Sequence, residues 1–391
     1  MENDQKKKLN WNVILAITGG FACVCICVLL FGAIPQASRP EPEQPTEPTE
    51  PVQYSIMDTF DDMIDDSLSQ AHDAALCVKK VYWIEADAPI APLPNADCYG
   101  EAGSAAELQW LLDEAAEILD GQETLFSTDT EIYPDSTITY YLDESIFVIT
   151  WQQIKDNFVY TFSEVKITHP SQFRRYLANN EFDSDYMHPV SRMSTMANAV
   201  MASSADYYRG RNHGVIVYQG EVKRATYTDL VDTCFVDDHG DLILAPAGTF
   251  TGAEDAQKFV DEHHIDFSLA FGPILVDDGV RCEPQYYYLG EVNDKYPRAA
   301  ICQMDELHYI AVVCNAKDAY WTAPTIHDFA KCIDELGCQK AYTLDGGQTG
   351  TIAMNGKVMN PRQTYERWIS DILVFATAIP SNEPTAEEAT S

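Results

Sequence analysis

Thr343-Leu344-Asp345-Gly346-Gly347-Gln348-Thr349-Gly350-Thr351 is the end of an apolar strand running into a glycine-rich turn. Glycine adopts backbone conformations closed to other residues, so main-chain N–H groups in such a turn can converge on an anion. Asp345 adds a carboxylate beside them, and Thr349 and Thr351 add hydroxyls. A second strand follows, and Asn355-Gly356 is the dipeptide of a type I′ hairpin turn.

Short β-rich runs surround this stretch. They are expected at Tyr140-Tyr141, Ile146 to Trp151, Val159 to Ile167, Gly214 to Tyr218, Thr233 to Val236 and Leu242 to Leu244. Others are expected at Arg298 to Gln303, Leu307 to Val313 and Ala341 to Leu344. Two helices interrupt them. One runs from near Thr251 to His263. The other starts at Thr325, which caps it with Asp328 in the first turn, and stops at Gly337. Its apolar face is Ile326, Phe329, Ala330, Ile333 and Leu336. Strands mixed with a few helices predict an α+β fold, a mixed or antiparallel sheet core with packed helices.

The N-terminal part has a different composition. Trp11 to Ile34 carries no charged residue and is preceded by Lys6, Lys7 and Lys8. About 20 apolar residues suffice to cross a bilayer as a helix, and basic flanks stay on the cytoplasmic side. A cleaved signal peptide has a shorter apolar core, and Ile34-Pro35-Gln36-Ala37-Ser38 is a poor cleavage site. The expectation is a single-pass cell-membrane protein: residues 1–10 cytoplasmic, 11–34 spanning, and the C-terminal domain extracellular. Residues 35–53 are rich in proline and glutamate and read as an extended stalk. Residues 54–130 read as a helical membrane-proximal region. Apolar residues recur at helical spacing from Ile56 to Ala71, and again through Leu108, Leu111, Leu112, Ala115 and Ile118. Residues 380–391 read as a disordered acidic tail.

The chain of 391 residues has a formal net charge of −36. Such a surface repels nucleic acid, so no nucleic-acid partner is expected. Any anionic substrate has to be held by local arginines or backbone donors. Outside the apolar span the cysteines are Cys77, Cys98, Cys234, Cys282, Cys302, Cys314, Cys332 and Cys338. Their even number permits disulfides, but spacing does not choose a pairing, and none has zinc-finger spacing. Neither a cofactor nor a structural metal is expected. Asp237-Asp238-His239-Gly240-Asp241 lacks the distal glutamate of a calcium loop, so weak surface calcium is the most it would hold.

The order of motifs in the C-terminal half is informative. Ser204-Ala205-Asp206-Tyr207-Tyr208 is followed by Gly214-Val215-Ile216-Val217-Tyr218 and Phe271-Gly272-Pro273-Ile274-Leu275-Val276. Then come Pro297-Arg298-Ala299-Ala300-Ile301, the Leu344-Asp345-Gly346-Gly347 turn, and Arg367-Trp368-Ile369-Ser370-Asp371. This series resembles the phosphodiester glycosidase family over residues 195–378, within a domain expected at 131–379. The resemblance implies hydrolysis of a sugar-1-phosphodiester in a surface or exported glycan, with a sugar-phosphate or glycan as partner. It carries Asp345 and Asp206 over as catalytic carboxylates. It also carries Arg298, Arg367, Gly346, Gly347, Thr349 and Asp371 over as substrate- or phosphate-binding groups. The sequence departs from the family at Gln348, where a third glycine is usual, at Thr349 in place of serine, and before Asp206, where an asparagine is usual. A catalytically degenerate module that binds a glycan or wall polymer is the alternative. The sequence leaves the oligomeric state open.

Overall fold

The computed structural model describes residues 81–86, 88–118, 122–282, 294–316, 323–361 and 365–381. The expected membrane span, the stalk, the helix from Ile56 to Ala71 and the C-terminal tail from 382 onward lie outside the described residues. Among the described residues no helix is long and apolar enough to cross a membrane.

In chain order, β1 (Tyr99–Ala102) is followed by α1 (Gln109–Ile118), β2 (Ile138–Leu142), β3 (Ile146–Lys155), β4 (Phe158–Ile167) and β5 (Phe173–Leu177). Helix α2 (Val190–Met196) leads to β6 (Met201–Ser204), β7 (Gly214–Tyr218), β8 (Glu221–Thr226), β9 (Thr233–Asp237) and β10 (Leu242–Ala245). Helix α3 (Ala253–Glu262) precedes β11 (Ile265–Leu269), β12 (Ile274–Asp277) and β13 (Val280–Arg281). Next are β14 (Arg298–Asp305), β15 (His308–Ala316) and α4 (Ile326–Asp334). The last strands are β16 (Lys340–Leu344), β17 (Ile352–Met354), β18 (Lys357–Val358) and β19 (Asp371–Phe375).

These strands form a nine-stranded sheet in the order β1-β2-β3-β4-β15-β14-β16-β12-β13 and two five-stranded sheets, β10-β9-β11-β7-β8 and β18-β17-β6-β19-β5. Neighbouring strands run antiparallel, as in the long β4–β15 and β14–β15 ladders. The molecule is therefore α+β, dominated by antiparallel sheet with a few helices.

The large sheet is buried on both faces. Ala300, Cys302, Ile310 and Val312 pack on one side with Leu111 of α1 and Phe329 of α4. Ala299, Ile301, Tyr309, Ala311 and Val313 pack on the other with Phe173, Phe267 and Phe375 of the smaller sheets. Burial on both faces explains why β14 and β15 read as near-continuous apolar runs rather than alternating ones.

The local signals at α4 and at the hairpin take the expected form. The Thr325 hydroxyl accepts from the Asp328 N–H at 3.2 Å, and the Asp328 carboxylate accepts from the Thr325 N–H at 3.0 Å. Ile326, Phe329, Ala330, Ile333 and Leu336 are all buried, and Gly337 stops the helix with φ +75°. Asn355 and Gly356 both take positive φ, 48° and 69°, as a type I′ turn requires.

Residues 99–118 and 122–126 fold together with the β-rich part. β1 pairs with β2 at the edge of the large sheet. Leu108, Leu111, Ala115 and Phe126 join the same core as Phe147 and Trp151. Buried Glu164 ties the following segment down, accepting from the N–H groups of Leu125 at 2.6 Å and Phe126 at 2.9 Å and contacting His308 Nε2 at 2.7 Å. Cys98, Cys234, Cys282, Cys302, Cys314, Cys332 and Cys338 are free thiols, and all but Cys98 and Cys282 are buried.

Candidate functional site

The glycine-rich turn sits where β16 leaves the large sheet. The register Ala299↔Leu344 sets Arg298 and Asp345 side by side at the ends of β14 and β16. Gly346 is required by the closeness of the next strand. A Cβ there would lie 2.3 Å from the Pro297 carbonyl oxygen and 3.0 Å from Arg298 Cα. Gly347, at φ +59°, donates its N–H to Pro297 O at 2.7 Å. The Gly346 carbonyl accepts from Thr349 N at 2.9 Å and Gly350 N at 3.2 Å. The Gly347 amide, expected to grip a substrate anion, is thus spent within the protein. Its bond instead fixes the turn against Arg298.

Asp345 is recessed, with 8% of its surface accessible. Its N–H donates to Ala205 O at 3.0 Å and its carbonyl accepts from Ser204 Oγ at 3.3 Å. The Ser204–Tyr207 segment is thereby fixed against the turn. Arg298 is buried, and its Nη2 donates to Asp294 O at 2.6 Å. Its guanidinium lies 5.9 Å from the Tyr296 ring. Arg367 is exposed. It stacks 4.7 Å over the Tyr207 ring and donates to the Tyr207 hydroxyl at 3.1 Å. Tyr207 itself has φ +57°, a conformation that a bulky residue keeps only where its surroundings impose it.

A polar layer backs the turn. Asn360 Nδ2 donates to Gly350 O and to Asn315 Oδ1, both at 3.1 Å, and its Oδ1 accepts from Ile352 N at 2.9 Å. Thr351 Oγ1 donates to Thr349 O at 2.9 Å. Thr349 is buried, and its hydroxyl has no hydrogen-bond partner among the described residues. Asn315 and Asn360 carried no sequence signal, because they reach the turn from other strands and loops.

Asp206 and Asp371 occupy a different place. Neither has accessible surface. Both bond Arg175 Nη2, Asp206 at 2.6 Å and Asp371 at 2.7 Å. Asp206 also accepts from Tyr208 N at 3.0 Å and Ala270 N at 2.7 Å, so both its oxygens are engaged. Ser370 Oγ donates to Asp371 at 2.9 Å. One guanidinium faces two carboxylates here. Burial is the main cause that raises the Asp371 pKa; neighbouring Asp206 raises it further, against the lowering by Arg175. A substrate could not touch Asp206 or Asp371 without displacing protein, and the geometry makes them a structural hub beneath the site. Arg175, its centre, is the residue that sequence reasoning missed. It lies in a strand whose two arginines hid its burial.

Two further arginines follow Asp206 closely in the chain. Arg211 lies 4.3 Å over the Phe271 ring, and Gly272 N donates to Thr343 O at 3.3 Å, placing that loop beside β16. Arg209 pairs instead with Asp185 at 2.8 Å on the surface. Among the described residues no group of three or more His, Cys, Asp or Glu is placed to hold a metal ion. In the acidic Asp237–Asp241 turn, Asp237 accepts from His239 N at 3.0 Å and Asp241 N at 2.8 Å, so that carboxylate builds a hairpin.

An uncharacterized SPbeta prophage-derived protein of Bacillus subtilis is 30% identical over 110 residues, which is 28% of this chain and only 17% of that protein's length. The catalytic domain of zebrafish N-acetylglucosamine-1-phosphodiester alpha-N-acetylglucosaminidase, auto-inhibited by its pro-peptide, superposes with a TM-score of 0.46 at 15% identity. That superposition covers 67% of this chain and 92% of that domain. A hypothetical protein from Synechocystis gives a TM-score of 0.42 at 13% identity, covering 63% of this chain and 65% of its own. Residues 197–376, which contain every candidate residue from Asp206 to Asp371, match the phosphodiester glycosidase family.

Proposed function

We propose that this chain hydrolyses a sugar-1-phosphodiester, releasing the sugar from a phosphorylated acceptor. The observation that carries this reading is the placement of recessed Asp345 beside Arg298 at the glycine turn, inside the family match. A phosphodiester is anionic, and guanidinium groups bind it through charge-assisted hydrogen bonds. Arg298 and Arg367 are the groups for that task. Cleavage of the C1–O bond passes through an oxocarbenium-like state that a carboxylate stabilises. Asp345 supplies that charge and takes the proton of the water that adds to C1. The departing phosphate leaves without much help from an acid. One recessed carboxylate is therefore enough, and burial of Asp206 does not disable the site.

A specific observation favours a second reading. The Gly347 N–H is spent on Pro297, and Gln348 stands where the family has a third glycine. A glycan-binding module that has lost turnover would carry such a closed turn. Incubation with UDP-N-acetylglucosamine or a synthetic sugar phosphodiester separates the two. Released sugar, reduced about a thousandfold in Asp345→Asn, is expected; about 4 kcal/mol of barrier corresponds to that factor. Retention of glycan without release would establish the binding module, and undiminished release by Asp345→Asn would remove Asp345 from the mechanism.

The same reading holds the domain outside the cell, anchored through residues 11–34. An impermeant protease should strip the domain from intact cells, and protection from it would overturn that placement. Tethering near the source of substrate would offset the repulsion between an anion and a chain of net charge −36.

A further inference from the structure

A cavity of about 440 Å³ lies apart from the glycine turn. The starts of β5 and β11, the β7–β8 turn and residues 84–86 and 89–91 line it. None of Arg298, Asp345, Gly346, Tyr207 or Arg367 lines it. Its volume falls within the range of small-molecule sites, roughly 300–1,000 Å³.

The wall is made of two kinds of surface. Ile84, Ala91, Phe173, Tyr176 and Val374 give buried apolar area. Polar groups are set among them. The Tyr218 hydroxyl donates to Asn180 Oδ1 at 3.0 Å, which leaves the Asn180 side chain presenting its amide donors. The Arg174 guanidinium donates to Ala88 O, and its Nη1 has no hydrogen-bond partner among the described residues. Asp266 is exposed and lines the cavity, and desolvation by the protein around it outweighs the lowering by Arg174 and pushes its pKa upward. Three chain reversals bring non-glycine residues in the left-handed region to this wall: Asn180 at φ 55°, Gln219 at φ 53° and His264 at φ 51°. Surrounding structure has to hold them there. Two lining residues are pinned by hydrogen bonds, Ile84 N to Ser171 Oγ and Asn198 Nδ2 to Ala91 O, both 2.9 Å.

Charge selects the ligand. Arg175 lines the cavity but is engaged by Asp206 and Asp371. Arg174 shares the wall with Glu85, Asp237, Asp238 and Asp266, and this acidic excess disfavours phosphates and other anions. No converging acidic cluster capable of holding a cation is present among the described residues. Apolar walls with interspersed donors and acceptors match a sugar ring, which has C–H faces and hydroxyl edges. We infer that this cavity is a second binding site, distinct from the glycine turn, for a neutral saccharide of one or two rings.

The full-length protein in a non-glycosidic detergent tests this by calorimetry and saturation-transfer NMR. The probes are N-acetylglucosamine, cellobiose and chitobiose, with glucose-1-phosphate and cadaverine as charged comparators. At least one neutral sugar should bind saturably. Its affinity should fall at least tenfold in Asp266→Ala and in Asn180→Ala, and remain unchanged in Asp345→Asn. Tyr218→Phe, a gentler change, should weaken binding while leaving the thermal midpoint in place. The inference is overturned if no neutral sugar binds, if cadaverine or glucose-1-phosphate binds more tightly, or if binding survives the cavity variants. It is equally overturned if binding disappears in Asp345→Asn, which would locate the sugar at the glycine turn. Because binding is read without turnover, failure of the hydrolytic reading leaves this test intact.

Discussion

Asp345 and Asp206 lie on adjoining backbone, since the Asp345 N–H bonds the carbonyl of Ala205, yet they face opposite demands. Asp345 keeps an opening to solvent; Asp206 is sealed, with a guanidinium and two backbone amides on its oxygens. A carboxylate serves chemistry only where substrate and water can reach it. Buried and fully bonded, it holds chain segments together. The Arg175 hub joins β5, the loop after β6, the residue after β11 and the start of β19. It fixes from beneath the segment that carries Tyr207 and supports the glycine turn.

The comparison breaks first at Arg175. Arg175→Met leaves two buried carboxylates without their cation, and removal of one partner from such a cluster costs about 3–5 kcal/mol. Urea denaturation should record that loss. A stable variant lacking only turnover would show that the hub belongs to the chemistry instead. At the turn, Gly346→Ala forces a methyl group against the Pro297 carbonyl. Overpacking of this kind costs about 1–3 kcal/mol, and sugar release should fall more than the thermal midpoint does. Unaltered release would show that the turn tolerates displacement.

The hub also has a pH signature. Because the folded state raises the Asp371 pKa, it holds that proton more tightly than the unfolded chain does. The associated stability is present below the ordinary carboxylate range and is lost as pH rises through the raised value. Chemical denaturation across pH 4 to 8 should show this decline, and Asp371→Asn should flatten it. A decline that persists in the variant would assign it to other groups. The smallest effect lies away from both regions. Thr325→Ala removes the cap of α4 and should cost about 1 kcal/mol, with no change in sugar release.

What the sequence disclosed follows the range of each signal. The Thr325 cap, the apolar face of α4 and the Asn355-Gly356 turn are encoded within a few residues and could be read directly. So could β7, whose limits match the expected run. Strand β5, Phe-Arg-Arg-Tyr-Leu, gave no such pattern. Arg175 is buried because its partners arrive from 31 and 196 residues away, a fact absent from any window of the chain. The same gap explains the site assignment. An aspartate in an apolar setting looks alike whether it is a catalyst or one half of a buried ion pair, so Asp206 and Asp345 were indistinguishable by motif. The glycines were legible as special positions. Their reason was not, because Gly346 is small for the sake of Pro297, nearly fifty residues earlier.

The pairing of β4 with β15 has a practical consequence. Nine consecutive register pairs, His308↔Lys166 through Ala316↔Phe158, join a strand inside the family match to one that precedes it. A fragment trimmed to the family match would leave β15 as a long, apolar edge with its ladder of N–H and C=O groups open. Edges of that kind recruit other strands and drive aggregation. The N-terminal half-sheet thus acts as a shield for the family core, and the smallest soluble unit should begin ahead of β1 rather than at the point where family likeness begins.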